Sequence, residues 1–505
     1  MPEEILELLR SGDLSKAINA LMSGRQTTLP EFEKYASQYD PKLHDVMDEK
    51  KRPNKQVNCD PNSQEYGEVR NINVNAETPV GERVRIEPVA RIALAIQKLI
   101  VKRAVAFTFG NPVNYASEPE TDAEKTLVQA INRALHDVKE MTLNRRVARN
   151  LFSTTEVAEL WYLTGEANGE KNSNYGFETP YKLRCAIFSP AYGDTLYPYF
   201  DANRDLVAFS RYFTKKEADN VSRAYFETYT ANEHYLWIGD ENQQTKEVQN
   251  WELVEGYPKK LTLGKIPIVY AQQPQTEWAD VQTLIDRLEK LLSNFADTND
   301  YHASPKIFVK GKILGFARKG EAGAIIEGEE GAEASYLSWQ SAPDSVKLEI
   351  ETLLRMIYTI TQTPDISFET TKGLGSVSGV ALKLLFMDAH LKVQEKNEVF
   401  AEYLQRRANL IKAFMKQMHG KEDAEFKTAC DALVVEPEIT PYIIEDELNQ
   451  INILTAANGG KQIASRKATI QRLGWTDDAD AEEKAINAEE DRAMSFLQGE
   501  PTYDE

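Results

Sequence analysis

The stretch Thr363-Pro-Asp-Ile-Ser-Phe-Glu-Thr-Thr-Lys-Gly-Leu-Gly-Ser-Val-Ser378 leads, through Gly379, into a run over residues 380–419 that holds neither proline nor glycine. A glycine- and serine-containing loop followed by such a run reads as a flexible segment feeding a very long helix. At about 1.5 Å per residue, some forty residues would span roughly 60 Å. A small domain has little use for a helix of that length, whereas a spoke or a channel wall in a large assembly does.

Working outward, the segments before the loop prepare for it. Glu277 to Asn299 carries Val281, Leu284, Ile285, Leu288, Leu291, Leu292 and Phe295 on one stripe, the mark of an amphipathic helix. Pro343 starts another, with Ile350, Leu353, Leu354, Ile357 and Ile360 on one face. Between them, Pro305 to Leu337 is short, strand-like and glycine-rich. It begins with Lys306, Lys310, Lys312, Arg318 and Lys319 and no acid, then turns acidic at Glu321, Glu327, Glu329, Glu330 and Glu333. Those bases are either a solvated hairpin balanced by the glutamates or a small patch facing a ring lumen or an adaptor.

Further toward the N-terminus the period changes. Residues 1–30 read as helical, with Ile5, Leu8, Leu9, Ala17, Ile18 and Leu21 apolar, and 40–88 as an extended arm rich in proline, asparagine and charge. Val89 to Phe109 shows apolar residues at three- and four-residue intervals, ended by Gly110-Asn-Pro. Thr121 to Ser153 is a second helical region. From Glu156 the alternation is two: Tyr181, Leu183, Cys185 and Ile187 against Lys182, Arg184 and Ala186. Leu206–Phe213, Arg223–Tyr229 and His234–Ile238 read as further strands, with a hairpin at Thr230–Glu233. After Gly420 come short helices, one around Tyr442–Ala457, one capped by Ser465 and one capped by Thr476. The whole predicts an α+β chain, mainly helical.

Composition excludes several classes. The chain has 505 residues, 42% hydrophobic and 27% charged, with a net charge of −20. That charge argues against tight, sequence-independent wrapping of DNA, which needs a basic face, but not against loose contact in an acidic channel. Residues 421–505 hold 20 acids and 8 bases, a net of −12, either as a solvated face or as a charged rim. Apolar runs are broken by Lys98, Lys102 and Arg103, so none spans a bilayer, and the acidic start is not a secretory signal. Cys59, Cys185 and Cys430 lie far apart, which fits a reducing compartment. Gly373, Gly375 and Gly379 form GxGxxxG with no strand before it, unlike a dinucleotide fold, and the P-loop pattern is missing. His44, His136, His234, His302, His390 and His419 are scattered, with no metal-ligand spacing. No cofactor, no metal and no catalytic residue is expected.

Taken in order, these residues resemble a tailed-bacteriophage portal protein, a head-to-tail connector of the compact siphovirus type. The resemblance runs through Phe109-Gly-Asn-Pro-Val-Asn-Tyr115, Gly264-Lys-Ile-Pro-Ile-Val-Tyr270, Trp278-Ala-Asp-Val-Gln-Thr-Leu-Ile-Asp-Arg-Leu288 with Ser293-Asn-Phe-Ala-Asp297, and Ile307-Phe-Val-Lys-Gly311. It continues at Thr363-Pro-Asp365, Gly375-Ser-Val-Ser-Gly-Val-Ala-Leu-Lys383, where the family pattern is SGxALK, and Ile463-Ala-Ser-Arg-Lys-Ala-Thr-Ile470. It implies a wing at 1–276, stem helices at 277–304 and 341–362, a clip at 305–340, a tunnel loop at 363–378, a long helix crossing the wing at 379–420 and a crown with an acidic tail at 421–505. It further implies a ring, typically of twelve copies, at one capsid vertex, packaging and ejecting double-stranded DNA. Implied partners are terminase, head-completion or adaptor proteins, and major capsid and scaffolding proteins. In the tunnel loop Thr370, Thr371, Lys372, Gly373, Gly375, Ser376 and Ser378 would touch DNA. Lys306, Lys310, Lys312, Arg318 and Lys319 would face an adaptor, terminase or DNA from the clip. Leu284, Leu288, Leu291, Leu353 and Ile357 would pack the stem. The alternatives are a minor head or adaptor protein without a channel, and a nucleotide-binding phosphoryl-transfer enzyme.

Overall fold

The computed structural model describes residues 2–11, 13–25, 28–58, 84–165, 169–217, 221–241, 248–302, 306–311, 313–315, 327–328, 331, 333–337, 343–365, 386–419, 423–442, 447–459, 463–476 and 479–498. They fall into two compact units, one of Met1–Thr363 with Ala389–Pro441 and one of Pro364–Asp388 with Tyr442–Glu505. The fold is mixed α+β and predominantly helical.

In the first unit, α1 (Pro2–Ser11) and α2 (Leu14–Ser23) divide the helical region expected over 1–30. The division falls at Asp13, whose carboxylate accepts the Lys16 N–H at 3.2 Å and so caps α2. After α3 (Phe32–Tyr39), β1 (Lys55–Asn58) pairs antiparallel with β2 (Val84–Glu87), closing the base of the expected arm. Residues 59–83 of that arm lie outside the described residues. Then come α4 (Ile96–Thr108), β3 (Asn114–Ala116), α5 (Asp122–Asp137) and α6 (Glu140–Thr154). The Thr121 hydroxyl and the Glu124 carboxylate form a reciprocal capping box that starts α5.

The strands follow as β4 (Glu156–Gly165), β5 (Tyr181–Phe188), β6 (Thr195–Phe200), β7 (Leu206–Lys216), β8 (Ser222–Tyr229), β9 (Glu233–Glu241), β10 (Val248–Leu253), β11 (Lys259–Lys260) and β12 (Ile268–Gln272). They build a sheet of order β10-β9-β8-β7-β6, with β11 on β9, and a second of order β12-β4-β5. Alternation decides its two faces. Ala208, Phe226, Tyr235 and Trp237 meet Ile5, Leu9, Ile18 and Leu21 of α1 and α2, while Phe209 and Tyr229 meet Ala158, Ile268 and Tyr270 of the smaller sheet.

Next comes α7 (Gln282–His302), then β13 (Lys306–Lys310), β14 (Ile313–Gly315), β15 (Glu327–Gly328) and β16 (Glu333–Leu337), then α8 (Pro343–Ile360). The unit ends with α9 (Met387–His419), α10 (Ala424–Ala432) and β17 (Glu436–Glu438), which pairs with β3. The long helix opens at Met387, after a turn at Phe386, rather than at 379. A run free of proline and glycine sets only the greatest extent of a helix; residues 379–385 lie outside the described ones. Neither α10 nor β17 is visible as a pattern in the sequence. With them this unit extends to Pro441, past the expected crown boundary at 421.

The second unit holds α11 (Glu447–Asn458), α12 (Arg466–Leu473) and α13 (Ala479–Gln498). Ser465 caps α12 as expected, accepting the Ala468 N–H at 3.2 Å. The helix expected to be capped by Thr476 is described from Ala479, residues 477–478 lying outside the described ones, and Asp480 and Glu482 complement the positive end of its dipole. Arg466 forks onto Glu490 at 2.9 and 2.6 Å, joining α12 to α13.

One departure has a clear cause. The apolar spacing predicts helix from Val89, yet α4 starts at Ile96. Every second N–H of the preceding segment is taken by a side chain of α7: Ala90 by Asp297 at 2.7 Å, Ile92 by Ser293 at 3.0 Å and Leu94 by Glu289 at 2.7 Å. Two residues of extended chain and four of helix advance by nearly the same length, so the bonds repeat in step. His44 joins this seam. Its Nδ1 lies 2.7 Å from Glu289 and its Nε2 2.7 Å from the Gln38 carbonyl. The Gln38 carbonyl and the Glu289 carboxylate both suit a ring that donates from each nitrogen, which favours the protonated form. Burial opposes that charge, but Glu289 outweighs it and holds the His44 pKa above its usual value.

The main core gathers α4, α5, α6, β4, Val281 just before α7, Ile285 and Leu288 of α7, Ile357 of α8 and the Phe400–Met418 side of α9. At its centre Arg407 has no exposure. It forks onto Glu159 of β4 at 3.0 and 2.6 Å and reaches Asn144 of α6 at 2.5 Å. The Trp161 indole N–H donates to the same Glu159 carboxylate at 3.0 Å.

The two stem candidates differ in how they use their faces. Leu288 and Ile357 are fully buried, and Leu284 and Leu353 pack partly buried on the same core. Leu291 is half-buried. Helix α8 also leaves three apolar side chains outside, Leu348, Met356 and Ile360, which are 63%, 46% and 49% exposed. Leu288→Ala is expected to lower the stability of the monomeric chain by about 2–5 kcal/mol, through lost burial and a cavity. Leu348→Asp should change it by no more than about 0.5 kcal/mol. Urea unfolding of the two variants checks the contrast.

Candidate functional site, the neck of the glycine loop

The loop singled out by the sequence leaves the first unit at Thr363 and re-enters it at Ala389. Thr370, Thr371, Lys372, Gly373, Gly375, Ser376 and Ser378 lie outside the described residues. The neck does not. Helix α8 ends in a turn where Thr361 Oγ1 donates to the Ile357 carbonyl at 2.8 Å and the Thr363 N–H to the Tyr358 carbonyl at 2.9 Å. Thr361 and Thr363 are both buried, and their hydroxyls are 2.9 Å apart. Gln362 adopts the left-handed region at φ 49°, which turns the chain out of the helix.

On the return side, α9 presents Lys392 and Lys396 one turn apart. Lys392 Nζ donates to the Thr361 carbonyl at 2.9 Å and pairs with Glu277 at 2.8 Å. Lys396 pairs with the other Glu277 oxygen, also at 2.8 Å. Glu277 stands just before α7, so one carboxylate ties together the start of one stem candidate, the end of the other and the first turns of the long helix. Burial pushes the Glu277 pKa up, but the two ammonium groups outweigh it and hold it below its ordinary value. Lys396 is shifted the opposite way: burial lowers it, and Glu277 more than restores it. The Lys392–Thr361 bond holds the two described ends of this segment together.

Sequence reading missed this triad. Glu277 lies at the edge of an apolar stripe and the two lysines lie inside a helix more than a hundred residues away, so only the three-dimensional fold brings them together.

Of the clip candidates, Lys306 and Lys310 lie on β13, which pairs with β16, and the register sets Lys310 opposite Glu333. Lys312, Arg318 and Lys319 lie outside the described residues, as do Glu321, Glu329 and Glu330. Among the described residues no group of His, Cys, Asp or Glu is placed to hold a metal ion, and no helix is long and apolar enough to cross a membrane.

A family model described as "Phage portal protein, SPP1 Gp6-like" matches residues 19–495. The chain belongs to this family: it is a structural protein of the virion, placed at the portal vertex of the capsid, and not an enzyme. Two solved structures are similar to it, titled "Neck of empty GTA particle computed with C6 symmetry" and "Virion of native gene transfer agent (GTA) particle". Each matched chain is 11% identical, covers 75% of this chain and is itself 89% covered, at TM-scores of 0.37 and 0.34. No curated protein matches.

Removing one partner of the buried triad should be costly. Lys392→Met is expected to destabilise the chain by about 3–5 kcal/mol at neutral pH. Because the Glu277 pKa is depressed on folding, the stability it contributes is present above its ordinary value of 4.5 and is lost as pH falls through the folded value. The stability gap between the native chain and Glu277→Gln should therefore shrink below that pH, as measured by urea titrations from neutral to acid conditions.

Proposed function

We propose that identical copies of this chain close into a dodecameric ring around a channel that conducts double-stranded DNA into and out of the capsid. The observation that supports this, beside the family match, is the outer side of α8: Leu348, Met356 and Ile360 stay exposed while Ile350, Leu353, Leu354 and Ile357 serve the chain's own core. Such side chains are available to a neighbouring copy. One heterologous contact repeated around an axis closes when its rotation divides a full turn. In this reading 1–276 is the wing, 277–304 and 341–362 the stem, 305–340 the clip, 363–378 the tunnel loop, 379–420 the crossing helix and 421–505 the crown.

The loop then works from a rigid neck. Its threonines, serines and Lys372 offer hydrogen bonds and one charge to a passing phosphate backbone, and its glycines supply the freedom to move. A ring of twelve such chains would carry a net charge of about −240, which discourages sticking while rings of Lys372 add a weak, salt-dependent grip. The clip bases would dock terminase first and head-completion or adaptor proteins later, and the wing would meet major capsid and scaffolding proteins.

Negative-stain imaging of the purified chain tests the ring: annular particles with a central hole are expected. Monomers or open filaments would instead favour an adaptor without a channel. Leu348→Asp, nearly neutral for the single chain, should abolish the annuli. Deleting Glu369 to Gly375 should leave them intact and impair DNA packaging or retention. Loss of annuli on that deletion would make the loop a structural element.

A further inference from the structure

Two adjoining cavities lie where the loop around residues 261–265 meets the C-terminal half of α9. The larger, about 840 Å³, is lined by Lys265, Lys412, Lys416 and Lys427, against one carboxylate, Asp431. The smaller, about 440 Å³, is lined by Leu160, Leu163, Leu261 and Phe414 together with Lys259 and Lys260. Thr262, Leu263 and Gln417 line both, so they form one groove with a basic half and an apolar half.

Six lysines gathered on one groove run against the rest of a chain whose net charge is −20. The single acid is already engaged, since Lys416 Nζ holds both Asp431 oxygens at 2.7 and 2.6 Å. Lys259, Lys260, Lys265 and Lys427 are exposed and make no ion pair with any described residue. Lys412 is held in the wall by donating to the Leu433 carbonyl at 2.6 Å. Burial and, after it, the nearby Lys265 lower its pKa against the opposing pull of Asp431.

We propose that this groove docks an acidic peptide segment of a partner protein, one bulky apolar side chain filling the smaller cavity and flanking carboxylates lying among the lysines. Nucleic acid fits less well. A phosphate backbone has nothing to place in the apolar half. The overall negative charge repels a long polyanion, whereas a short segment pairs locally, within the screening length of about 8 Å at physiological salt. The docking holds whether or not the chains close into a ring.

The probe is a fluorescein-labelled peptide, Glu-Asp-Glu-Phe-Glu-Asp-Glu, titrated with the full-length chain and read by fluorescence anisotropy. Saturable binding is expected, with Kd below about 100 μM. Replacing the probe's phenylalanine by alanine should weaken it about tenfold, and so should the double variant Lys265→Glu with Lys427→Glu. The pair Lys259→Gln with Lys260→Gln, both exposed and outside the core, carries the same expectation should the first variant fail to fold. The proposal is overturned by no saturation up to about 1 mM, or by binding indifferent to the phenylalanine or to the lysines. It is equally overturned if a short DNA duplex or tripolyphosphate displaces the peptide at a lower concentration than the unlabelled peptide does.

Discussion

A guanidinium with no access to water anchors the first unit of this molecule. Arg407 sits in the middle of the long helix, and its charge is tolerable only because Glu159 accepts two of its hydrogen bonds and Asn144 a third. An ionic pair in such surroundings contributes little net stability over a well-packed apolar pair, but it admits one register and penalises every other. Sliding the helix by one turn would leave both charges buried and unpaired. The aromatic packing of Phe400 against Phe109 and Phe152, and of Tyr403 against Phe400, follows from that register.

From this anchor the long helix fixes what happens at its other end. Lys392 and Lys396 lie about four and three turns before Arg407 on the same rod, so once Arg407 is seated they arrive beside Glu277 and Thr361. The neck of the glycine loop is thus placed by the long helix together with the contacts that Lys392 and Lys396 make there. The same economy appears along α7, where one face feeds the apolar core while Glu289, Ser293 and Asp297 bind the backbone at Leu94, Ile92 and Ala90.

Much of the element inventory was legible in the sequence. The alternation in β5, the hairpin between β8 and β9, the stripe on α7, the proline start of α8 and the Ser465 cap each rest on local chemistry, and local chemistry survives into the fold. The errors occur where distant groups intervene. Residues 89–95 have a helical pattern, but their N–H groups find acceptors on α7, some two hundred residues away, and the helix waits until Ile96. β17 is three residues containing a proline, a strand only because β3 offers it an edge. Sequence alone also could not divide the apolar positions of α8 between those spent inside the chain and those left outside.

What the sequence determined by itself was the order of elements, the family to which the chain belongs and the candidate segments, because periodicity, caps and motif order are properties of neighbours along the chain. Only the tertiary structure decided which charges meet: Arg407 with Glu159, Lys392 with Glu277 and Thr361, and six lysines around one groove. The reason is physical. A charge reads the same in a sequence whether solvated or buried, and its meaning is set by the partner and the dielectric that folding brings to it.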